Sequence, residues 1–177
     1  MEKPKVLILI GSDSDLPIIE DGLKFLKEIG VSFKLDVSSA HRHPVKTINY
    51  AKKARKEGFE VIIAVAGMAA HLPGVLASHT TLPVIGVPTS SKALNGIDAL
   101  LSIVQMPKGI PVATVGIDAS RNAAILACEI LSIKYDRIME KLKKMKTDMQ
   151  RLNEEKSIKV NSYPNPPSKI MKNLVDP

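Results

Sequence analysis

Three short segments of this sequence gather the side chains that could do chemistry. Gly11-Ser12-Asp13-Ser14-Asp15 sets a glycine, hydroxyls and carboxylates just ahead of a helical stretch. A helix start offers unpaired N–H groups and a positive dipole end. The segment can therefore cradle a phosphate or ribose, with Ser12 and Ser14 donating and Asp15 accepting from ribose hydroxyls. Ser and Asp are also ordinary helix caps, and this segment alone does not separate the two roles. The second segment, Ser38-Ser39-Ala40-His41-Arg42-His43-Pro44, is harder to ascribe to packing. Arg42 presents a planar fork suited to phosphate. Histidine is the side chain that changes charge near neutrality, so His41 is the candidate proton carrier. In the third segment, Ala66-Gly67-Met68-Ala69-Ala70-His71-Leu72-Pro73-Gly74, small residues let backbone approach a flat ligand, and His71 becomes a substrate contact if the segments converge. His79 reads as structural or surface, and the single cysteine, Cys128, as a small buried hydrophobe.

Convergence depends on the elements between these segments. Val6–Ile10, Val31–Val37, Val61–Ala66, Val84–Val87 and Val112–Val115 are β-branched runs that read as strands. Leu16, Ile19, Leu23 and Leu26 follow helical spacing until Gly30 stops them. Pro44 opens a helix that Gly58 closes, shorter helices cover Leu72–His79 and Ile97–Val104, and a long one starts near Ser120. Strands alternating with helices over short connections make a parallel sheet with right-handed crossovers. The expected fold is α/β: a three-layer, doubly wound, five-stranded, flavodoxin-like sheet in order 2-1-3-4-5. Ligands of such sheets bind at the carboxyl ends of the strands, where the order reverses. All three segments follow strands that end there.

From Lys134 onward the character changes. Ile138, Leu142, Met145, Met149 and Leu152 form an apolar stripe on an otherwise charged helix. Asn153–Pro177 carries clustered prolines without periodicity and reads as extended. The expected division is a catalytic domain over 1–133 and a C-terminal helix and tail over 134–177.

Composition narrows the function. Aromatics are 3% of the 177 residues and tryptophan is absent, which disfavours a flavin carrier needing rings to sandwich its cofactor. The net charge of +7 is interleaved with acidic residues rather than gathered in a basic stripe, so nucleic acid is not the expected partner. One cysteine excludes a disulfide framework and a multi-cysteine metal site, and no second ligand cluster accompanies the histidines. Neither a Walker loop nor G-x-G-x-x-G occurs, so ATP and NAD are poorly supported. The longest apolar runs fall short of a membrane span, and Val6–Ile10 is too short for a signal peptide. A cytoplasmic enzyme acting on a small phosphorylated substrate is the expectation.

Five motifs, taken together, strongly resemble the PurE family, class I N5-carboxyaminoimidazole ribonucleotide mutases. They are Gly-Ser-Asp-Ser-Asp (11–15), Ser-Ala-His-Arg (39–42), Ala-Ala-His-Leu-Pro-Gly (69–74), Pro-Val-Ile-Gly-Val-Pro (83–88) and the run 100–115 from Leu-Leu-Ser-Ile to Ala-Thr-Val. The resemblance covers about Val6 to Leu131. It implies interconversion of N5-carboxyaminoimidazole ribonucleotide and 4-carboxy-5-aminoimidazole ribonucleotide through CO2, by a homo-octamer without metal or organic cofactor. By the same resemblance His41 is the catalytic acid–base, and Ser12, Ser14, Asp15, Ser39, Arg42, Gly67 and His71 bind the ribonucleotide, Arg42 with Ser39 holding its phosphate. Met68 and Lys108 stand where the family usually has glycine, and Gly116–Asn122 is more polar than its usual counterpart. Direct carboxylation of aminoimidazole ribonucleotide, as in class II relatives, and a non-catalytic nucleotide-binding module are the rival readings.

Overall fold

The structure is a computed structural model that describes residues 5–163. Strands β1 (Val6–Ile10), β2 (Phe33–Val37), β3 (Val61–Gly67), β4 (Val84–Thr89) and β5 (Ala113–Thr114) form one parallel sheet in the order β2-β1-β3-β4-β5. The expected topology is the observed one. Strands β1 and β4 and all of β3 but its last residue are buried, as continuous apolar runs covered on both faces must be. Edge strand β2 instead carries Lys34 and Asp36, charges that keep an unpaired edge from meeting another sheet.

Helices α1 (Leu16–Ile29), α2 (Pro44–Glu57), α3 (Leu72–Ala77), α4 (Ile97–Val104) and α5 (Ser120–Ser132) lie over the two faces. Leu7, Leu9, Ile62 and Ala64 share one core with Ala51 and Ala54 of α2, Leu72 and Leu76 of α3, and Ala99 and Ile103 of α4. Removing one such buried aliphatic side chain from water contributes about 1.5–3 kcal/mol. On the other face α1 packs on α5, and Gly22 permits it: a Cβ there would lie 2.7 Å from the Ser120 carbonyl oxygen. The Ser120 hydroxyl accepts from the Gly22 amide, and Arg121 reaches Asp21 at 3.2 Å. The polar stretch Gly116–Asn122 thus locks two helices together.

Several boundaries differ from expectation for local reasons. Strand β2 starts at Phe33 rather than Val31, because Gly30 turns left-handed at φ 77° and the Val31 amide returns to the Leu26 carbonyl to close α1. Helix α3 ends at Ala77, and β5 keeps only two paired residues. The largest correction concerns the tail: helix α6 runs Asp136–Asn161, so Asn153–Asn161 is helical rather than extended. Those residues are mostly polar, and the intrahelical Arg151–Glu155 pair supports the helix without an apolar periodicity. The prolines of the tail lie outside the described residues. The chain divides into two compact units, Met1–Met139 and Glu140–Pro177. Among the described residues, no helix is long and apolar enough to cross a membrane.

Candidate active site

The order reverses between β1 and β3, and a cavity of about 590 Å³ opens there at the carboxyl ends of β1 to β4. Every residue expected to form a site (Ser12, Ser14, Asp15, Ser39, His41, Arg42, Gly67 and His71) lines it. Three loops far apart in sequence meet because their strands are neighbours.

The β1 loop folds into a single 3-10 turn, Asp13–Asp15, closed by a reciprocal cap: the Ser12 hydroxyl accepts from the Ser14 amide, and Asp15 Oδ2 accepts from the Ser12 amide at 3.1 Å. Capping and cavity lining are therefore one arrangement here. Burial pushes the Asp15 carboxyl above its ordinary range, with bonds from the Ser12 amide and the Thr89 hydroxyl only partly offsetting it.

In the β2 loop, Ser39 Oγ accepts from the amide and from Nε of Arg42, and Arg42 Nη2 donates to the Gly11 carbonyl at 3.3 Å. The guanidinium is clamped between two loops with three of its five donors left for an anion. Buried Ser38 shares a hydrogen bond with Thr47 of α2, fixing the loop to the helix beneath it. The two histidines of this loop part company. His41 faces the cavity, whereas His43 Nδ1 accepts from the Lys46 amide and caps α2. His43 thus has the packing explanation that the residue pattern alone did not offer.

His41 Nε2 and His71 Nδ1 share a hydrogen bond, their rings edge to face with centroids 4.6 Å apart. Such a bond needs one nitrogen to donate and the other to accept. His79 bonds Ser78 and the Val75 carbonyl, a structural role, and burial pushes the Cys128 thiol up to about 12.

Gly67 has a reason the sequence did not disclose. A Cβ there would stand 2.4 Å from Thr89 Oγ1, so only glycine lets the Thr89 hydroxyl sit between β3 and Asp15. Thr89 at the end of β4, with Ser90 and Ser91 of the loop after it, completes the cavity wall, and all three were missed. Their signal was available: hydroxyl residues at a strand's carboxyl end, as in the β1 loop. Met68 adopts φ 54°, in the left-handed region that disfavours a side chain, and is exposed at the cavity.

Residues 5–152 match the family model described as AIR carboxylase. The chain belongs to the AIR carboxylase family. A relative from Pyrococcus horikoshii, named N5-carboxyaminoimidazole ribonucleotide mutase, is 60% identical over 156 residues and spans 88% of each chain. A Candida albicans protein named phosphoribosylaminoimidazole carboxylase is 56% identical over 135 residues, which are 76% of this chain but 24% of that protein. The crystal structure of Treponema denticola PurE superposes with a TM-score of 0.77 at 29% identity, covering 87% of this chain and 97% of that one. Within the AIR carboxylase family region, residues 5–152, fall all four loops of the cavity. Among the described residues, no group of three or more His, Cys, Asp or Glu side chains is placed to hold a metal ion.

Proposed function

We propose that this chain is an N5-carboxyaminoimidazole ribonucleotide mutase of purine biosynthesis. The observation that carries the reading is the His41–His71 pair set beside the clamped Arg42 in one cavity, in a chain 60% identical to a protein of that name. Arg42 with Ser39 takes the phosphate, Ser12 with Ser14 and Asp15 the ribose, and Gly67 and His71 line the base. His41 is the acid–base group. It protonates N5 as the N5–carboxylate bond breaks, the bonding pair staying on nitrogen, which yields aminoimidazole ribonucleotide and CO2. C4 then donates its electron pair to the CO2 carbon, and the C4 proton returns to His41, restoring the ring. One proton enters and one leaves, with no change of redox state, so the steps call for no organic cofactor. A group used first as acid and then as base works best with a pKa near the working pH. The cavity has to retain CO2 between the steps.

The molecule is proposed to be a cytoplasmic homo-octamer. Ile97, Leu101 and Val104 leave an apolar stripe of α4 about half exposed, the kind of face that a neighbouring subunit covers. Met149 and Leu152 of α6 are likewise exposed, which supports the segment from Lys134 onward as an oligomer brace. Direct carboxylation of aminoimidazole ribonucleotide is the second reading, favoured by the name of the Candida relative.

Purified chain offered N5-carboxyaminoimidazole ribonucleotide, or aminoimidazole ribonucleotide with bicarbonate, separates these readings. Fast formation of the C4-carboxylated product from the first, and slow formation from the second unless bicarbonate is very high, is the expected outcome. The reverse preference makes the chain a carboxylase, and silence with both leaves a binding module.

A further inference from the structure

We infer that Ser91 is the hydrogen-bond donor that holds the migrating carboxylate, and the CO2 it becomes, at the β4 end of the cavity. The inference rests on the mutase reading above. Ser91 lines the cavity, and its Oγ is buried without a hydrogen-bond partner. Folded chains pair nearly all buried hydroxyls, so an orphan in a cavity wall marks a place for a ligand atom. Asp98 Oδ1 shares the unpaired state but is no part of that wall.

The strand order gives the cavity a direction. Arg42 and the β1 loop lie toward β2 and β1, whereas the loops of β3 and β4 form the opposite side. A ribonucleotide with its phosphate on Arg42 and its ribose on Asp15 directs its base toward β3 and β4. His41 reaches the same side through its bond to His71. The wall there offers few donors. Ala66, Gly67 and Ala69 carry none on their side chains, and the Thr89 hydroxyl is engaged by Asp15. Ser90 is exposed, leaving Ser91 as the buried hydroxyl without a partner.

Its loop is held in place. The Asn95 amide donates to the Ser91 carbonyl at 3.0 Å, and the Ser90 amide donates to Asp118 Oδ1 at 2.9 Å. A Cβ on Gly96 would come within 3.1 Å of Ser90 Cα, so the helix start presses on the same loop. With the backbone fixed before the substrate arrives, the reorganisation left is the turn of one short side chain to bring its buried hydroxyl to the ligand. The bond to Ser91 is strong while the carboxylate is charged, weakens as CO2 departs from N5, and strengthens again as the C4–carbon bond returns charge to the oxygens.

The test compares full-length wild type with Ser91→Ala and Ser91→Thr. Calorimetry should show S91A binding the C4-carboxylated ribonucleotide about tenfold more weakly, or about 1.4 kcal/mol, with affinity for aminoimidazole ribonucleotide unchanged. During conversion of unlabelled N5-carboxyaminoimidazole ribonucleotide in 13C-bicarbonate, S91A product should carry severalfold more label, because its CO2 escapes and is replaced. S91T, which keeps the hydroxyl, should restore both properties. The S91A melting temperature should equal or exceed that of wild type, since no protein bond is lost. Unchanged affinities and label retention in S91A overturn the inference, as does a lower melting temperature with an unchanged affinity ratio, the mark of a structural hydroxyl. A wild-type chain that converts neither compound overturns the mutase reading first, and the inference falls with it.

Discussion

At the amino-terminal end of the sheet Glu60, just before β3, accepts from Tyr135 and meets Lys5 at 3.3 Å and Lys134 at 3.2 Å. Both ammonium groups also stand over the Tyr135 ring, 5.3 and 5.2 Å from its centre. Burial alone would raise the Glu60 carboxyl, but bonds from Tyr135, Lys134 and Lys5 outweigh it and hold the group below its ordinary range. At the carboxyl-terminal end the balance is reversed: burial dominates Asp15 and raises it, Met68 is held at φ 54°, and Ser91 Oγ has no partner. The same sheet is thus closed electrostatically at one end and left incomplete at the other. Strain and unmet hydrogen bonds collect where a ligand can complete them. Changes at the site end should therefore cost function more than stability, and changes at the base should do the opposite.

The largest effect expected is at the site. Replacing His41 with Asn should lower conversion about 10³-fold, within the range that general acid–base catalysis supplies. Its affinity for aminoimidazole ribonucleotide should stay within about twofold by calorimetry. A turnover near that of wild type would remove His41 from the chemistry.

Gly67→Ala is the site change that should break the rule, because it meets backbone geometry as well as ligand. The new Cβ forces Thr89 to move, and overpacking of this kind costs about 1–3 kcal/mol in denaturant titrations. Weaker ribonucleotide binding should accompany it through Asp15. Wild-type stability would mean that β3 and β4 part more easily than their packing implies.

At the base, Glu60→Gln should cost about 1 kcal/mol at neutral pH with turnover unchanged, since the group is partly exposed and its pairs are screened. Its folded pKa lies below the unfolded value near 4.5, so this stabilisation is full above about 4.5 and is lost as pH falls through the folded value. Denaturation at a series of pH values should show the gap between wild type and variant closing in that window. A gap independent of pH would assign the loss to packing.

Asp15→Asn carries the opposite sign and the smallest stability effect. A carboxyl raised in the folded chain loses stability as pH rises from the unfolded value near 3.8 through the folded one. At neutral pH the variant should match wild type or gain less than about 1 kcal/mol, while binding ribonucleotide about tenfold more weakly. A clear loss of stability would show that the cap with Ser12 outweighs the burial of charge.

Much of the fold was legible because buried parallel strands write themselves as unbroken Val, Ile and Leu runs, as Val6–Ile10 does, and because Gly30 and Gly58 stop their helices where left-handed backbone is required. Helix α6 was legible only as far as its apolar stripe. Beyond Leu152 its residues are mostly polar, with the Arg151–Glu155 pair, and leave no hydrophobic period to read.

The site divides along the same line. Sequence by itself determined which residue types stand at the ends of the first three strands, since strand-end position and side-chain chemistry are both local properties. Tertiary structure alone decided their partners: His41 with His71 and not His43, Gly67 against Thr89, and the β4 loop as the remaining wall. The cavity they build gathers residues as far apart as Ser12 and Ser91. No local pattern encodes these partners, because they meet only once parallel pairing has set the strand ends side by side.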